Sequence, residues 1–312
     1  MVEPIAMVAL ALDAAMGWPQ ALYRRIGHPV GGFARIIAGL ERRWNTPSRG
    51  KAARRMAGVA AVLVLLASAG GACWALQSLL EIYAGNWAWL FVAMLAWPGL
   101  AQRSLHDHVR PVAEALEQGD LAAARVAVGQ IVGRDTATLD EGGVARAAIE
   151  SLAESFCDGV VAPLFWLLVL GLPGIWMYKA INTADSMIGH REERWRAFGW
   201  AAARSDDVMN LVPARLAGVL ICLCAGRGWR ILLRDSSRHA SPNAGWPEAA
   251  MAGVLGLRLA GPIVYDGIAL EKPWIGEGTR AAGTADIRRA LAIYARACLC
   301  LWIIAGGVAW AL

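Results

Sequence analysis

Long uncharged runs of apolar residues alternate along this chain with short stretches crowded with acids, amides and arginines. Residues 56–80 carry no charge at all, a length that crosses a bilayer with some tilt. Residues 87–101 follow after only a short polar link at 81–86, so the two runs read as a transmembrane hairpin with an external turn near Tyr83. Residues 291–312, with Arg296 near their start, read as a third span, and residues 2–16, short and carrying Asp13, as a marginal fourth. The runs 160–177 and 212–225 differ. Pro163, Gly171, Pro173 and Gly174 cut the first into pieces shorter than a span, and polar motifs flank both. A full crossing at 160–177 would put the acids before it and after it on opposite sides of the membrane, where one site could not use both. Broken or re-entrant passages are therefore expected, which a bilayer tolerates only where protein or water covers the freed backbone.

Between the apolar runs the periodicity is helical. Asp120 suits the N-cap of a helix with Leu121, Val128, Ile131 and Val132 as its apolar stripe. Asp140 suits the next, which ends at Gly159 and buries Val144, Ala148, Ile149, Leu152 and Phe156. Residues 234–245 form a turn-rich loop, with Pro247 placed to open a helix. No strand-like alternation and no internal repeat stands out. The expected fold is all-α: a polytopic integral membrane helical bundle with broken or re-entrant segments, one membrane-embedded domain over residues 1–312, and a helical polar region at 103–158 facing the cytoplasm.

Composition strengthens the membrane reading. Apolar residues make up 57% of the 312 positions and mean hydropathy is +0.43, whereas soluble domains run nearer 45–50% apolar. Residues 18–55 hold nine basic side chains against a single acid, Glu41. Such a loop stays cytoplasmic under the positive-inside bias. No aromatic–basic interleaving supports a nucleic-acid partner. The six cysteines include two C-x-C pairs inside apolar runs and read as small hydrophobes, not as a disulfide or zinc framework. The first residues carry an acid where a signal peptide would be positive, so the N-terminal segment reads as retained.

The charges themselves point to chemistry. Fifteen of the 25 carboxylates lie between Asp107 and Asp207, and ionisable groups beside bilayer spans are costly and usually functional. Glu150, Glu154 and Asp158 recur every fourth residue on one helix face. Like charges at that spacing destabilise a helix by roughly 0.2–0.5 kcal/mol per pair, which a divalent cation or an arginine would offset, although a solvated acidic face would look the same. Asp206 and Asp207 lie within one turn of Asn210, an acid–acid–amide group that resembles metal–phosphate devices, and Arg204 and Arg215 flank it with forks suited to phosphate or carboxylate. Asn182, Thr183, Asp185 and Ser186 follow the Pro173–Gly174 break, where a helix start would aim free N–H groups at an anion; ordinary capping explains Thr183 and Ser186 equally well. His28 and His239 sit near turns without metal-ligand spacing. No Walker A, G-x-S-x-G or dinucleotide fingerprint is present.

These residues fall in motifs that resemble one family over nearly the whole chain. The stretches LALDAAMGWP, GHPVGGFARIIAGLE, GRDTATLDEGGVARAAIESLAESFCDGVVAPLF, YKAINTADSMIGHR, FGWAAARSDDVMNLVPARLAG and RDSSRHASPNAGWPEAAMAGVLGLRLAGP, in that order, are similar to the cobinamide-phosphate synthases of cobalamin biosynthesis. The resemblance implies a multi-pass enzyme of the inner (plasma) membrane, its site facing the cytoplasm, that joins adenosylcobyric acid to (R)-1-aminopropan-2-ol or its O-phosphate. It implies ATP and Mg²⁺ as substrate and activator, the corrinoid and the amine as ligands, and room for association with other enzymes of the pathway. Carried onto the matching motifs, Glu150, Glu154, Asp185 and Asp207 are the expected catalytic residues. Arg134, Asn182, Arg204, Arg215, Arg238, His239 and Asn243 would bind substrate or phosphate, and Glu154, Asp158, Asp206, Asp207 and Asn210 the metal. Ser155, Ala184 and His190 depart from the family pattern without removing a charge. Two other classes fit the same residues: a membrane phosphotransferase or prenyltransferase acting on a diphosphate, and a corrinoid transporter or scaffold.

Overall fold

The structure, a computed structural model, describes residues 4–133, 135–265, 268–270 and 272–311. In chain order the helices are α1 (Ile5–Met16), α2 (Gln20–Ile26), α3 (Val30–Trp44), α4 (Lys51–Ala84), α5 (Ala88–Ala96), α6 (Gln102–Glu117), α7 (Leu121–Gly129), α8 (Glu141–Phe156), α9 (Ala162–Ile188), α10 (Glu193–Arg196), α11 (Trp200–Met209), α12 (Leu211–Ala225), α13 (Trp229–Asp235), α14 (Gly245–Leu255) and α15 (Thr284–Ala311). Four short strands, β1 (Leu259–Ala260), β2 (Ile263–Tyr265), β3 (Ile268–Leu270) and β4 (Trp274–Ile275), lie between α14 and α15. The all-α membrane class holds. Among the described residues, three helical stretches are long and apolar enough to span a membrane, Lys51–Glu117, Glu141–Ile188 and Thr284–Trp310, or up to five if two bent helix pairs each count as a span. On α4, Leu63, Val64, Trp74, Leu76 and Leu79 stay exposed, apolar surface suited to acyl chains rather than water.

The chain gathers into two compact units. The first comprises residues 1–101, 162–210 and 305–312. Its core joins Ile37 of α3, Ala61, Val62 and Leu65 of α4, Ile181, Ala184 and Ile188 of α9, and Phe198, Ala201 and Ala202. Gly58 lets α4 meet the backbone around Phe198, since a Cβ there would overlap the Phe198 carbonyl. The expected break in 160–177 is present. α9 is interrupted at Gly171, whose φ of 65° and ψ of −151° are not helical, and Pro173 follows. Gln77 Oε1 accepts from the Leu172 N–H at 3.4 Å, occupying a donor that the interruption frees.

The second unit comprises residues 102–161 and 211–304. Asp120 and Asp140 cap α7 and α8 as expected, accepting from the N–H groups of Ala123 at 2.8 Å and Gly143 at 2.6 Å. The stripe Val144, Ala148, Ile149, Leu152 and Phe156 is buried. Phe156 meets Tyr294 edge to face at 5.6 Å, and Tyr294 donates to the Gln102 carbonyl at 2.6 Å.

Four features differ from the sequence reading. Residues 18–55 are largely helix rather than loop, through α2 and α3. The short strands pair antiparallel, β1 with β4 and β2 with β3, in runs of two or three residues that no alternation could mark. α8 passes into a π-helical turn at Cys157–Val161, which widens the helix and rotates Asp158 away from a strict every-fourth-residue face. Asn182 to Ser186 lie in the last two turns of α9 rather than at a helix start, and the Thr183 and Ser186 hydroxyls donate to the Lys179 and Asn182 carbonyls at 2.6 and 2.9 Å. The six cysteines are free thiols, with the sulfurs of Cys224 and Cys300 3.4 Å apart.

Candidate functional site

In the first unit the Asp206–Asn210 motif meets α9 side by side. Asp206 and Asn210 are one turn apart at the end of α11, and Tyr178 and Asn182 one turn apart on α9, so two pairs of polar side chains face each other. Tyr178 donates its hydroxyl to Asn210 Oδ1 at 3.0 Å. Asn210 Nδ2 donates to Asp206 Oδ2 at 3.0 Å, and Asn182 Nδ2 to Asp206 Oδ1 at 3.3 Å. Both carboxylate oxygens of Asp206 thus accept from amides, and Tyr178, Asp206 and Asn210 are buried. Asp207, on the more open side, faces Arg204 Nη2 at 2.8 Å. Asp185 lies folded against Gly189, where a Cβ would overlap its carboxylate.

The second unit holds a cavity of about 220 Å³. Glu150, Ser151 and Glu154 of α8 line it together with His239, Glu248 and Lys272. Glu150 is held by the Ala260 N–H, which donates to its Oε1 at 2.8 Å. Ser151 donates to the Ile131 carbonyl at 2.7 Å. His239 is fixed by its own turn: the Ser241 N–H donates to Nδ1 at 3.0 Å, and Ser241 Oγ accepts in turn from the N–H groups of Asn243 and Ala244. With Nδ1 accepting, a neutral ring carries its proton on Nε2, which faces Glu248 Oε1 at 3.6 Å. Burial and then the charge of Lys272 hold the imidazole below its ordinary pKa, so the ring is neutral at pH 7 and acts as a donor through Nε2–H.

Beside the cavity's histidine turn, Asp235 is fully buried and held from several sides. Arg234 grips both of its oxygens at 2.6 Å, the Gly276 N–H donates to Oδ2 at 2.9 Å, and Arg238 Nε lies 3.2 Å from Oδ1. The Arg234 hydrogen bonds lead the forces that hold its pKa below the carboxylate norm.

The structure therefore sorts the expected site residues into two groups. Asn182, Asp185, Arg204, Asp206, Asp207 and Asn210 fall in the first unit, and Glu150, Glu154, Asp158, Arg215, Arg238, His239 and Asn243 in the second. Arg134 lies outside the described residues. Arg215 donates to the Leu211 carbonyl and stacks over Trp246 at 4.7 Å. Asn243 is buried, its backbone carbonyl accepting from the Trp246 N–H at 3.0 Å. Among the described residues no three His, Cys, Asp or Glu side chains stand together so as to hold a metal ion. Tyr178, Asp235, Glu248 and Lys272 escaped the sequence reading. Glu248 had a signal, as a lone acid in the apolar helix GWPEAAMAGVL, and burial of such a group demands a partner.

A family model described as CobD/Cbib protein matches residues 6–294. The "Cobalamin biosynthesis protein CobD" of Rhodobacter capsulatus is 51% identical over 306 residues, covering 97% of this chain and 96% of the relative. The protein of the same name from a Sinorhizobium species is 47% identical, covering 94% of each. That of Brucella suis biovar 1 (strain 1330) is 45% identical over 93% of this chain and 91% of its own. No solved structure matches the chain.

Proposed function

Because this chain belongs to the CobD/Cbib protein family, we propose that it joins adenosylcobyric acid to (R)-1-aminopropan-2-ol, free or as its O-phosphate, at the expense of ATP, in cobalamin biosynthesis. The observation that carries the reading is the match over nearly the whole length to relatives named for that pathway.

The chemistry needs a propionate oxygen to attack the γ-phosphorus of ATP, releasing ADP and leaving an acyl phosphate. The amine nitrogen then attacks the acyl carbon and phosphate departs, while the nitrogen gives up its surplus protons. Mg²⁺ bound to the nucleotide would supply charge neutralisation at the transferred phosphoryl group. Glu150, Glu154 and Glu248 line one cavity with Lys272, a mixture of charges that suits a small amino alcohol bearing a phosphate: carboxylates toward the ammonium, the lysine toward the anion. In this reading Glu154 removes the amine's proton. His239 is a poor base from Nε2, because its neutral tautomer already carries the proton there, and it serves instead as a donor that orients substrate. In the first unit, Asp206 is the buried anchor of the network beside Asp207 and its Arg204 partner.

The test is direct. Purified protein in detergent is incubated with ATP–Mg²⁺, adenosylcobyric acid and the amine in free or phosphorylated form, with product and ADP followed by mass spectrometry. The expected result is amide product and ADP only when all three substrates are present. Corrinoid binding without product from either amine would overturn the enzyme reading in favour of a carrier.

A further inference from the structure

A second cavity, of about 410 Å³, lies in the first unit where α4 begins and the segment around α10 passes it. Lys51, Arg54, Arg55 and Arg196 line it with Trp200, against one carboxylate, Glu193. We propose that this pocket binds the phosphate group of an anionic phospholipid at the membrane surface.

Three observations lead there. Position comes first: the uncharged run of α4 starts at Met56, and at 1.5 Å of rise per residue the side chains of 51–55 sit within one or two turns of its first apolar residues. They therefore stand at headgroup depth. The pocket is also built rather than loose. Glu41 is buried and takes the Arg194 fork at 3.1 and 3.2 Å. Asn45 donates to Glu41 Oε1 at 3.2 Å and accepts from Arg54 Nε at 2.7 Å. Arg54 also reaches the carbonyls of Glu193 and Arg194, so α3, α4 and α10 are tied around the cavity. Charge is the third point. The Arg55 guanidinium sits over the Trp200 ring, its Cζ 3.6 Å from the centroid, which holds the arginine in place while Trp200, still 39% exposed, gives the wall an apolar body. A fork, an ammonium and an interfacial tryptophan form the surroundings that a phosphodiester headgroup takes. A positive-inside signal needs only charge, whereas this cavity, its ordered floor and the stacked arginine also supply a shape.

Free phosphate or a nucleotide shares the same chemistry, and the experiment separates the sources. Full-length protein in mild detergent is offered equal amounts of phosphatidylglycerol and phosphatidylcholine, and retained lipid is read by native mass spectrometry. Wild-type protein should keep phosphatidylglycerol over phosphatidylcholine. The pair Arg55→Gln/Arg196→Gln should lower that preference by about fivefold per arginine. The pair Arg24→Gln/Arg43→Gln, equal in charge change and on exposed positions outside the cavity, should keep it. Equal loss in both pairs, or no preference in the wild type, overturns the proposal, and the wild-type arm stands even if a variant fails to fold. Displacement of phosphatidylglycerol by inorganic phosphate or ATP, with the same arginine dependence, would assign the pocket to a soluble anion and overturn the lipid.

Discussion

Asp206 and Asp207 are neighbours in sequence and opposites in setting. Asp206 spends both oxygens on the amides of Asn182 and Asn210, while Asp207, half-buried, pairs with Arg204. Glu150 and Glu154 both line the cavity of the second unit, Glu150 half-buried and accepting from the Ala260 N–H, Glu154 exposed. Glu154→Gln and Asp207→Asn, which keep shape and remove charge, should each abolish turnover while membrane expression stays near wild type. Near-normal rates in both would remove these carboxylates from the chemistry. His239 offers a finer test, read in the KM for the amine. His239→Gln keeps a donor and should stay within a few-fold of wild type, whereas His239→Ala should raise KM about tenfold, roughly 1.4 kcal/mol of binding; equal effects would show that the donor is not used. Asp235 acts on stability instead. A carboxylate whose folded pKa is depressed contributes stability that is fully present above its unfolded value and is lost as pH falls through the folded one. Asp235→Asn should lower thermal stability at pH 7 by about 1.5–3 kcal/mol, the scale of hydrogen bonds to charged groups. The deficit should shrink below about pH 4, the ordinary aspartate value. A deficit independent of pH would mean that packing, not charge, sets the role of this residue.

At the scale of elements, the interruption in α9 makes the sharpest claim. Gly171 adopts a positive φ with an extended ψ, a region that is essentially glycine's alone, and occupying it with another residue costs of order 1–3 kcal/mol. Gly171→Ala should therefore lower the melting temperature or the yield of folded protein, whereas Gly71→Ala, on α4 with open space at its Cβ, should not. Equal behaviour of the two would mean that the break carries no strain. This break was legible in the sequence because glycine and proline disrupt helices by local covalent geometry. The same holds for the caps Asp120 and Asp140 and for the buried stripe of α8, which rest on spacing within one element. The pairing of Tyr178 with Asn210, the burial of Glu248 and the Gly276 contact to Asp235 depend on which elements pack together. They join residues 32, 9 and 41 positions apart, and no local pattern encodes that. The π-helical turn escaped for a different reason: apolar residues at Val160 and Val161 fit an α-helix and a π-turn alike.

At the scale of the whole molecule, orientation follows from the distribution of charge. The nine-to-one basic excess at 18–55 predicts that this segment faces the cytoplasm. Residues 103–158 should lie on the same side, since the proposed reaction draws on cytosolic ATP. On a background lacking the six native cysteines, single cysteines at Ser48 and Gln118 should react only once the membrane is permeabilised, and one at Tyr83 should react in intact cells. Labelling of Ser48 or Gln118 from outside would reverse the topology. The division into two units adds something the span count does not. The chain leaves one unit for the other at 101–102, 161–162, 210–211 and 304–305, so neither unit is written in the gene as one continuous piece. On the ribosome, at roughly 5–20 residues per second, residues 102–161 emerge several seconds before their partners at 211–304. During that interval α6 and α7 can already pack on α8, but the side that α14 and Tyr294 cover, with Phe156 on it, still lacks its neighbours. An apolar side of α8 therefore waits for its partners midway through synthesis, the condition under which nascent chains aggregate.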